Sequence, residues 1–142
     1  MSEASLASIF HPSGNPSLLA IRELLPVIPA AVAVIDMESG QVLAVSPSAM
    51  AMFGVDTEGL YYIQDFYCDP TIWPQRLHQL RSQSGLIAAS SQVRDIHGNE
   101  FPSFGRMQRA VMAGREVAVV SMEKGFHYRE RCCETSVACY QI

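Results

Sequence analysis

The chain has 142 residues, 49% of them apolar and 17% charged, with a formal net charge of −4. That length supports one domain with a hydrophobic core that needs no disulfide staples. The acidic balance, with no run of Lys or Arg, excludes an electrostatic nucleic-acid footprint, and no stretch approaches the roughly 20 apolar residues of a membrane span.

The N-terminus, MSEASLASIFHPSGNP, has no basic start followed by an apolar core. It does not read as a signal peptide, and a cytoplasmic, reduced location is expected. Of the four cysteines, Cys68 stands alone while Cys132, Cys133 and Cys139 cluster near the C-terminus. That spacing fits no zinc motif and reads as free thiols, with no metal.

In chain order, residues 1–15 are Ser-rich without period and read as a flexible lead-in. Residues 16–25 place Leu18, Ile21, Leu24 and Leu25 on one side of a helix that Pro26 stops. Residues 31–59 read as strand, tight turn at Glu38-Ser39-Gly40, strand, and a short helix. Ser46 is placed to cap that helix, Pro47 to open it and Gly54 to end it. Asp56-Thr57-Glu58 caps a further turn, and an apolar segment follows over 61–66.

A longer helix is predicted over 73–83, with Trp73, Leu77 and Leu80 in one buried stripe and Gly85 beyond its end. The period then changes to 2, predicting strands over 86–94, 101–113 and 116–123 with turns at Asp95-Ile96-His97-Gly98-Asn99 and Ala113-Gly114-Arg115. Pro102 suits an edge or a bulge. The order predicts an α+β domain with a five-stranded antiparallel sheet, one face covered by helices, plus an N-terminal amphipathic helix. The expected divisions are a tail and flanking helix over 1–28, the domain over 29–124 and a C-terminal linker over 125–142.

The residues Val34-Ile35-Asp36, Gly40, Val42-Leu43-Ala44-Val45, Ser46, Ala49, Met52-Phe53-Gly54 and Glu58-Gly59-Leu60 resemble the opening pattern of a PAS domain. Val93-Arg94-Asp95 through Gly98-Asn99-Glu100-Phe101 is similar to the later hairpin of that family, and the likeness covers about 29–124. Two departures stand out. The family's usual Asn after the second strand is Ser46, which offers fewer hydrogen bonds, and the Asp-Ile-Thr leading into an output helix is replaced by Lys124-Gly125-Phe126.

The resemblance implies a sensory and dimerisation module in signal transduction, such as the regulatory part of a two-component system or a stand-alone regulator. It implies a cleft between helices and sheet, for which Trp73, Leu77, Phe101, Ser103, Gly105 and Met107 are the candidate lining residues. Phe104 is a further aromatic candidate, and Ser91, Ser103, Arg106 and Ser121 are the nearby polar supply. A small apolar or mildly polar ligand would suit them.

No cofactor is required by the sequence. A haem ligand would be a His on the helix before the third strand, but His78 groups with Gln75, Arg81 and Ser82 on the water side. The flavin-binding motif is not matched by Tyr67-Cys68-Asp69-Pro70. Partners expected around a Cys-linked chromophore are replaced by Val45 and Ala49.

Acidic residues fall at turns, His11 and His127 in the tails, and His97 at a hairpin tip, so no nucleophile–base pair emerges and the domain is not expected to be an enzyme. The stripe Leu18, Ile21, Leu24 and Leu25 is expected to form a homodimer interface, with a downstream signalling domain or protein as partner. The alternative is a small-molecule-binding or enzymatic α+β cone domain with a pocket under its sheet.

Overall fold

Alternating strands and capped helices fold as their local chemistry dictates in the computed structural model, which describes residues 18–125. Helix α1 (Leu18–Leu24) runs into a 3-10 turn at Leu25–Val27, where Pro26 ends the α-helix by removing a donor. Strands β1 (Ala31–Asp36) and β2 (Val42–Val45) form a hairpin, followed by α2 (Pro47–Phe53), a 3-10 turn at Ile63–Phe66 and α3 (Ile72–Ser82). Strands β3 (Ile87–Arg94), β4 (Glu100–Met112) and β5 (Arg115–Lys124) complete an antiparallel sheet of order β2-β1-β5-β4-β3. The expected five-stranded α+β architecture is therefore the one observed. The expectations for His11, His127, Cys132, Cys133, Cys139 and both tails lie outside the described residues.

Period-2 alternation sends the two faces of the sheet into two cores. The inner face gathers Ala33, Ile35, Val93, Phe101, Met107, Ala118 and Val120 under Trp73, Leu80 and Tyr67. The outer face gathers Val34, Leu43, Ala44, Met112 and Val117 with Leu25, while Leu18 and Ile21 pack against it. The N-terminal stripe is thus spent largely on its own chain. Leu25 is only 3% exposed, and its burial stabilises the fold by about 1.5–3 kcal/mol. The Arg22 guanidinium locks the helix to the edge strand, donating to the Leu43 carbonyl at 2.6 and 3.2 Å. The apolar side chains left exposed here are Leu19 and Val27, with Leu24 half-buried.

Pro102 departs from expectation because β4 is an inner strand, flanked by β3 and β5. The β5 ladder starts one residue later, at Ser103 opposite Lys124, and the Pro102 carbonyl accepts from Gly125 N at 2.7 Å. Proline sits where pairing runs out, so its missing N–H leaves no gap in a closed ladder.

Ser46 makes more of its hydroxyl than its size suggests. Fully buried, it donates to the Ala30 carbonyl (2.7 Å) and accepts from Val32 N (2.9 Å) and Ala49 N (3.4 Å). One donor and two acceptors exhaust a hydroxyl, so the serine fills the capping role completely. Gly54 then ends α2 at φ 74°, donating to the Met50 carbonyl. Among the described residues no helix is long and apolar enough to cross a membrane.

Candidate binding cavity

The segment 61–68 is the piece that turns a sheet face into an enclosure. At one end it bonds the β1–β2 hairpin: Val42 N donates to the Tyr61 carbonyl (2.9 Å) and Ile63 N to the Gly40 carbonyl (2.8 Å). At the other, Cys68 N donates to the Gln92 carbonyl of β3 (3.1 Å), and Tyr67 bridges Val93. The strap thus ties the β1–β2 hairpin at one edge of the sheet to β3 at the other, and it lays Ile63, Phe66 and Tyr67 across the hollow.

Beneath the strap lies a cavity of about 60 Å³, lined from β3 by Ile87, Ala89, Ser91 and Val93 and from β4 by Ser103, Gly105 and Met107. The ladder sets Ala89 opposite Gly105 and Ser91 opposite Ser103, which puts all of them on the inner face. A second chamber of about 60 Å³ reaches toward β1 and β2, past Ala33, Val45 and Ala49. The two share walls at Phe53, Ile63, Phe66, Val120 and Met122. Phe53 meets Phe66 edge-on, with ring centroids 5.4 Å apart, a favoured aromatic geometry.

Of the six residues expected to line the cleft, Ser103, Gly105 and Met107 do so. Trp73 is 4% exposed within the core, with Leu77 packed beside it, and Phe101 lies against Phe53, centroids 5.6 Å apart. These three support the wall without facing the space. Phe104 and Arg106 point to the opposite face, where the guanidinium stacks 4.9 Å from the Phe104 ring. Ser121 pairs with Arg106 across the ladder and shares that face. His78 is exposed, and Cys68 lines neither chamber.

Two polar members of the wall escaped the sequence reading: Arg76 and Tyr67. Arg76 could have been found, because it falls at i+3 from Trp73 and four residues before Leu80, on the helix stripe that meets the sheet. Its Nη2 donates to Ser91 Oγ at 3.1 Å. Burial pushes the Tyr67 phenol up to about 12, the nearby Arg76 charge pulling the other way, so the hydroxyl is neutral and can donate. The Tyr67 and Ser103 hydroxyls face the chamber with hydrogen-bonding capacity to spare, which makes its polar end a place where a partner gains. The arrangement can therefore hold a small molecule by one cation and three hydroxyls in an otherwise apolar box. Among the described residues its lining carries no carboxylate or imidazole, and no group of three His, Cys, Asp or Glu could hold a metal ion.

No family model and no curated protein matches the sequence. Solved structures do. The chain is similar to a PAS domain from a two-component sensor histidine kinase, with a TM-score of 0.61 at 15% identity, over 73% of this chain and 92% of the other. It is similar to the PAS domain of an HTR-like protein from Haloarcula marismortui (TM-score 0.62, 16% identity, 73% and 88%).

The chain has the PAS fold.

A Rhodobacter sphaeroides LOV protein shares this PAS fold at a TM-score of 0.63 and 9% identity, over 82% of this chain and 72% of that one. A PAS fold sets where a cleft lies, while the side chains in it set what it takes.

Proposed function

We infer that the chain is a PAS-type sensory and interaction module of a signalling protein, acting by binding and not by catalysis. The observation that carries this reading is the paired cavity beneath the strap, apolar on most sides with a few convergent polar groups, as a small-molecule site requires. The fold shared with a sensor histidine kinase's PAS domain supports it. A small ligand occupies the cavity, and the domain associates as a homodimer that passes the signal to a downstream domain or protein in the cytoplasm. The N-terminal helix is the proposed contact. Because Leu18, Ile21 and Leu25 already pack on the sheet, the contact falls to Leu24 with exposed Leu19 and Val27.

Native mass spectrometry of the purified chain tests the ligand, and light scattering tests the dimer. A retained small molecule and a dimer that dissociates when the chain begins at Pro26 are the expected results. A monomer that retains nothing would remove the sensory reading. An unchanged dimer in the shortened chain would move the interface elsewhere.

A further inference from the structure

The cavity wall carries a charge that the fold does not use. Arg76 occupies the sheet-facing stripe of α3, between Trp73 and Leu80, where a Leu or Met would pack without electrostatic cost. The ion pairs among the described residues join Arg109 to Glu116 and Arg115 to Asp36, both remote from this wall. Arg76 instead has one side-chain bond, to Ser91 Oγ at 3.1 Å. A guanidinium brings five N–H donors and no acceptor, and it keeps its charge in any protein setting.

Beside it stand two further hydroxyl-bearing residues of the wall. Ser103 is 5% exposed and Tyr67 8% exposed, and both line the same chamber as Arg76. Among the described residues the Arg76–Ser91 bond is the side-chain hydrogen bond these four groups make. Among the described residues the one buried side-chain polar atom without a partner is Arg94 Nε, so the Tyr67 and Ser103 hydroxyls reach the open space of the chamber, as does half-buried Arg76. A cation with unused donors, flanked by neutral hydroxyls in a box of alkyl groups, asks for an anion carrying an alkyl body.

We propose that this chamber binds a short-chain monocarboxylate. Its carboxylate sits on Arg76, with Tyr67, Ser91 and Ser103 completing the hydrogen bonds, and its alkyl end lies over Gly105 and Met107. Arg76 is half-buried, and Arg–carboxylate pairing is the strong, geometrically fixed kind of hydrogen bonding. Size limits the ligand: about 60 Å³, at roughly 10–15 Å³ for each water-sized unit, holds about four to six non-hydrogen atoms. The adjoining chamber leaves room for a branch. This rests on the cavity being the ligand site and adds the ligand's charge and class.

The test is a titration of the full chain, followed by NMR or calorimetry, with isobutyrate, its uncharged isostere isobutyramide, and inorganic phosphate. Isobutyrate is expected to bind saturably and at least about tenfold more tightly than the amide, with phosphate not binding. Arg76→Gln is expected to bring acid and amide level, and Arg76→Lys to keep the acid preference. Equal binding of acid and amide, no saturable acid binding, phosphate binding as tight as isobutyrate, or an unchanged preference in Arg76→Gln each overturns the proposal. The acid–amide comparison in the unaltered chain decides the matter even if a variant does not fold. A retained neutral molecule without acid preference would sink the carboxylate and leave the sensory reading standing. A monomer that retains nothing yet prefers isobutyrate would leave the ligand site and the carboxylate standing and remove the homodimer.

Discussion

Ser46 donates its hydroxyl to the Ala30 carbonyl across 2.7 Å, joining the entry of β1 to the first turn of α2. The same oxygen accepts from Val32 N and caps Ala49 N. Ser46→Ala removes all three bonds from a fully buried position. It leaves the Ala30 carbonyl and the Val32 and Ala49 amides without this partner, and we expect a loss of about 2–3 kcal/mol. In urea unfolding the midpoint falls with an unchanged slope, and Tm drops by about 10–20 °C. Ser48→Ala, which removes an exposed 3.3 Å bond to Pro29, is expected to stay within about 0.5 kcal/mol.

That cap was legible because everything it needs is local: Ser46, Pro47 and Gly54 specify one helix whatever the rest of the chain does. Strand parity was legible for the same reason, and it placed Ser103, Gly105 and Met107 together on the cavity side. What sequence spacing does not carry is which face a helix covers. The stripe of Leu18, Ile21 and Leu25 is plainly apolar, yet nothing local says that its cover is the outer face of its own sheet. The strap is harder still, since its bonds to Gly40 and Gln92 join positions far apart in the chain and give no periodic signal. Arg76 was half-visible, since its spacing puts it on the sheet-facing stripe of α3. A charged residue in an apolar stripe reads as surface until the opposing wall is known to hold Ser91 and Ser103.

Gly105 separates stability from binding. A Cβ there would meet the Ser121 carbonyl oxygen at 3.6 Å, an ordinary van der Waals contact, and would project into the cavity. Gly105→Ala is expected to stabilise the domain by about 0.5–1 kcal/mol, the cost of glycine's freedom within a strand. Ligand affinity is expected to fall at the same time, because the chamber loses volume. Urea unfolding and ligand titration on the one variant check both. Unchanged affinity would mean that the ligand does not lie over β4.

Gly54 and Gly98 both take the left-handed conformation, at φ 74° and 87°, but in different surroundings. A Cβ on Gly54 meets Ile96 Cγ1 at 3.1 Å, whereas one on Gly98 meets open space. Gly98→Ala is expected to lose about 1 kcal/mol from backbone strain alone, and Gly54→Ala about 1–2 kcal/mol with the added contact. Equal losses in chemical denaturation would show that Ile96 yields freely.

Acid should weaken the fold through three turn aspartates. Asp56 is held below the ordinary 3.8 by the Gly59 and Glu58 N–H groups and then by the Tyr61 hydroxyl. Asp69 is lowered by the Thr71 N–H and hydroxyl. For Asp95 desolvation is the largest single influence and pushes upward, but the Asn99 side chain and the Asn99 and His97 amides together lower it. A lowered folded value means that the stability is fully present above 3.8 and is lost as pH falls through the folded values beneath it. The urea midpoint should therefore hold down to about pH 4 and then decline. The triple variant Asp56→Asn, Asp69→Asn, Asp95→Asn should show a shallower acid limb, and a parallel limb would remove these carboxylates as its cause.

At the alkaline end the sensitive group is Tyr67. Burial raises its phenol from the ordinary 10.0 to about 12, against a smaller opposing pull from Arg76. For a group raised on folding, the stabilising contribution is complete below pH 10.0 and disappears as pH climbs toward about 12, because the unfolded chain ionises first. Tyr67 should thus be a late titrant in phenolate absorbance, and the urea midpoint should fall across that interval. Tyr67→Phe leaves no phenol to ionise, so it should remove the late absorbance step and flatten the alkaline slope. Because Tyr67 also lines the cavity, the same substitution should weaken a carboxylate ligand while leaving its acid-over-amide preference, which belongs to Arg76. A Phe variant that kept the full alkaline slope would place the ionising group elsewhere in the chain.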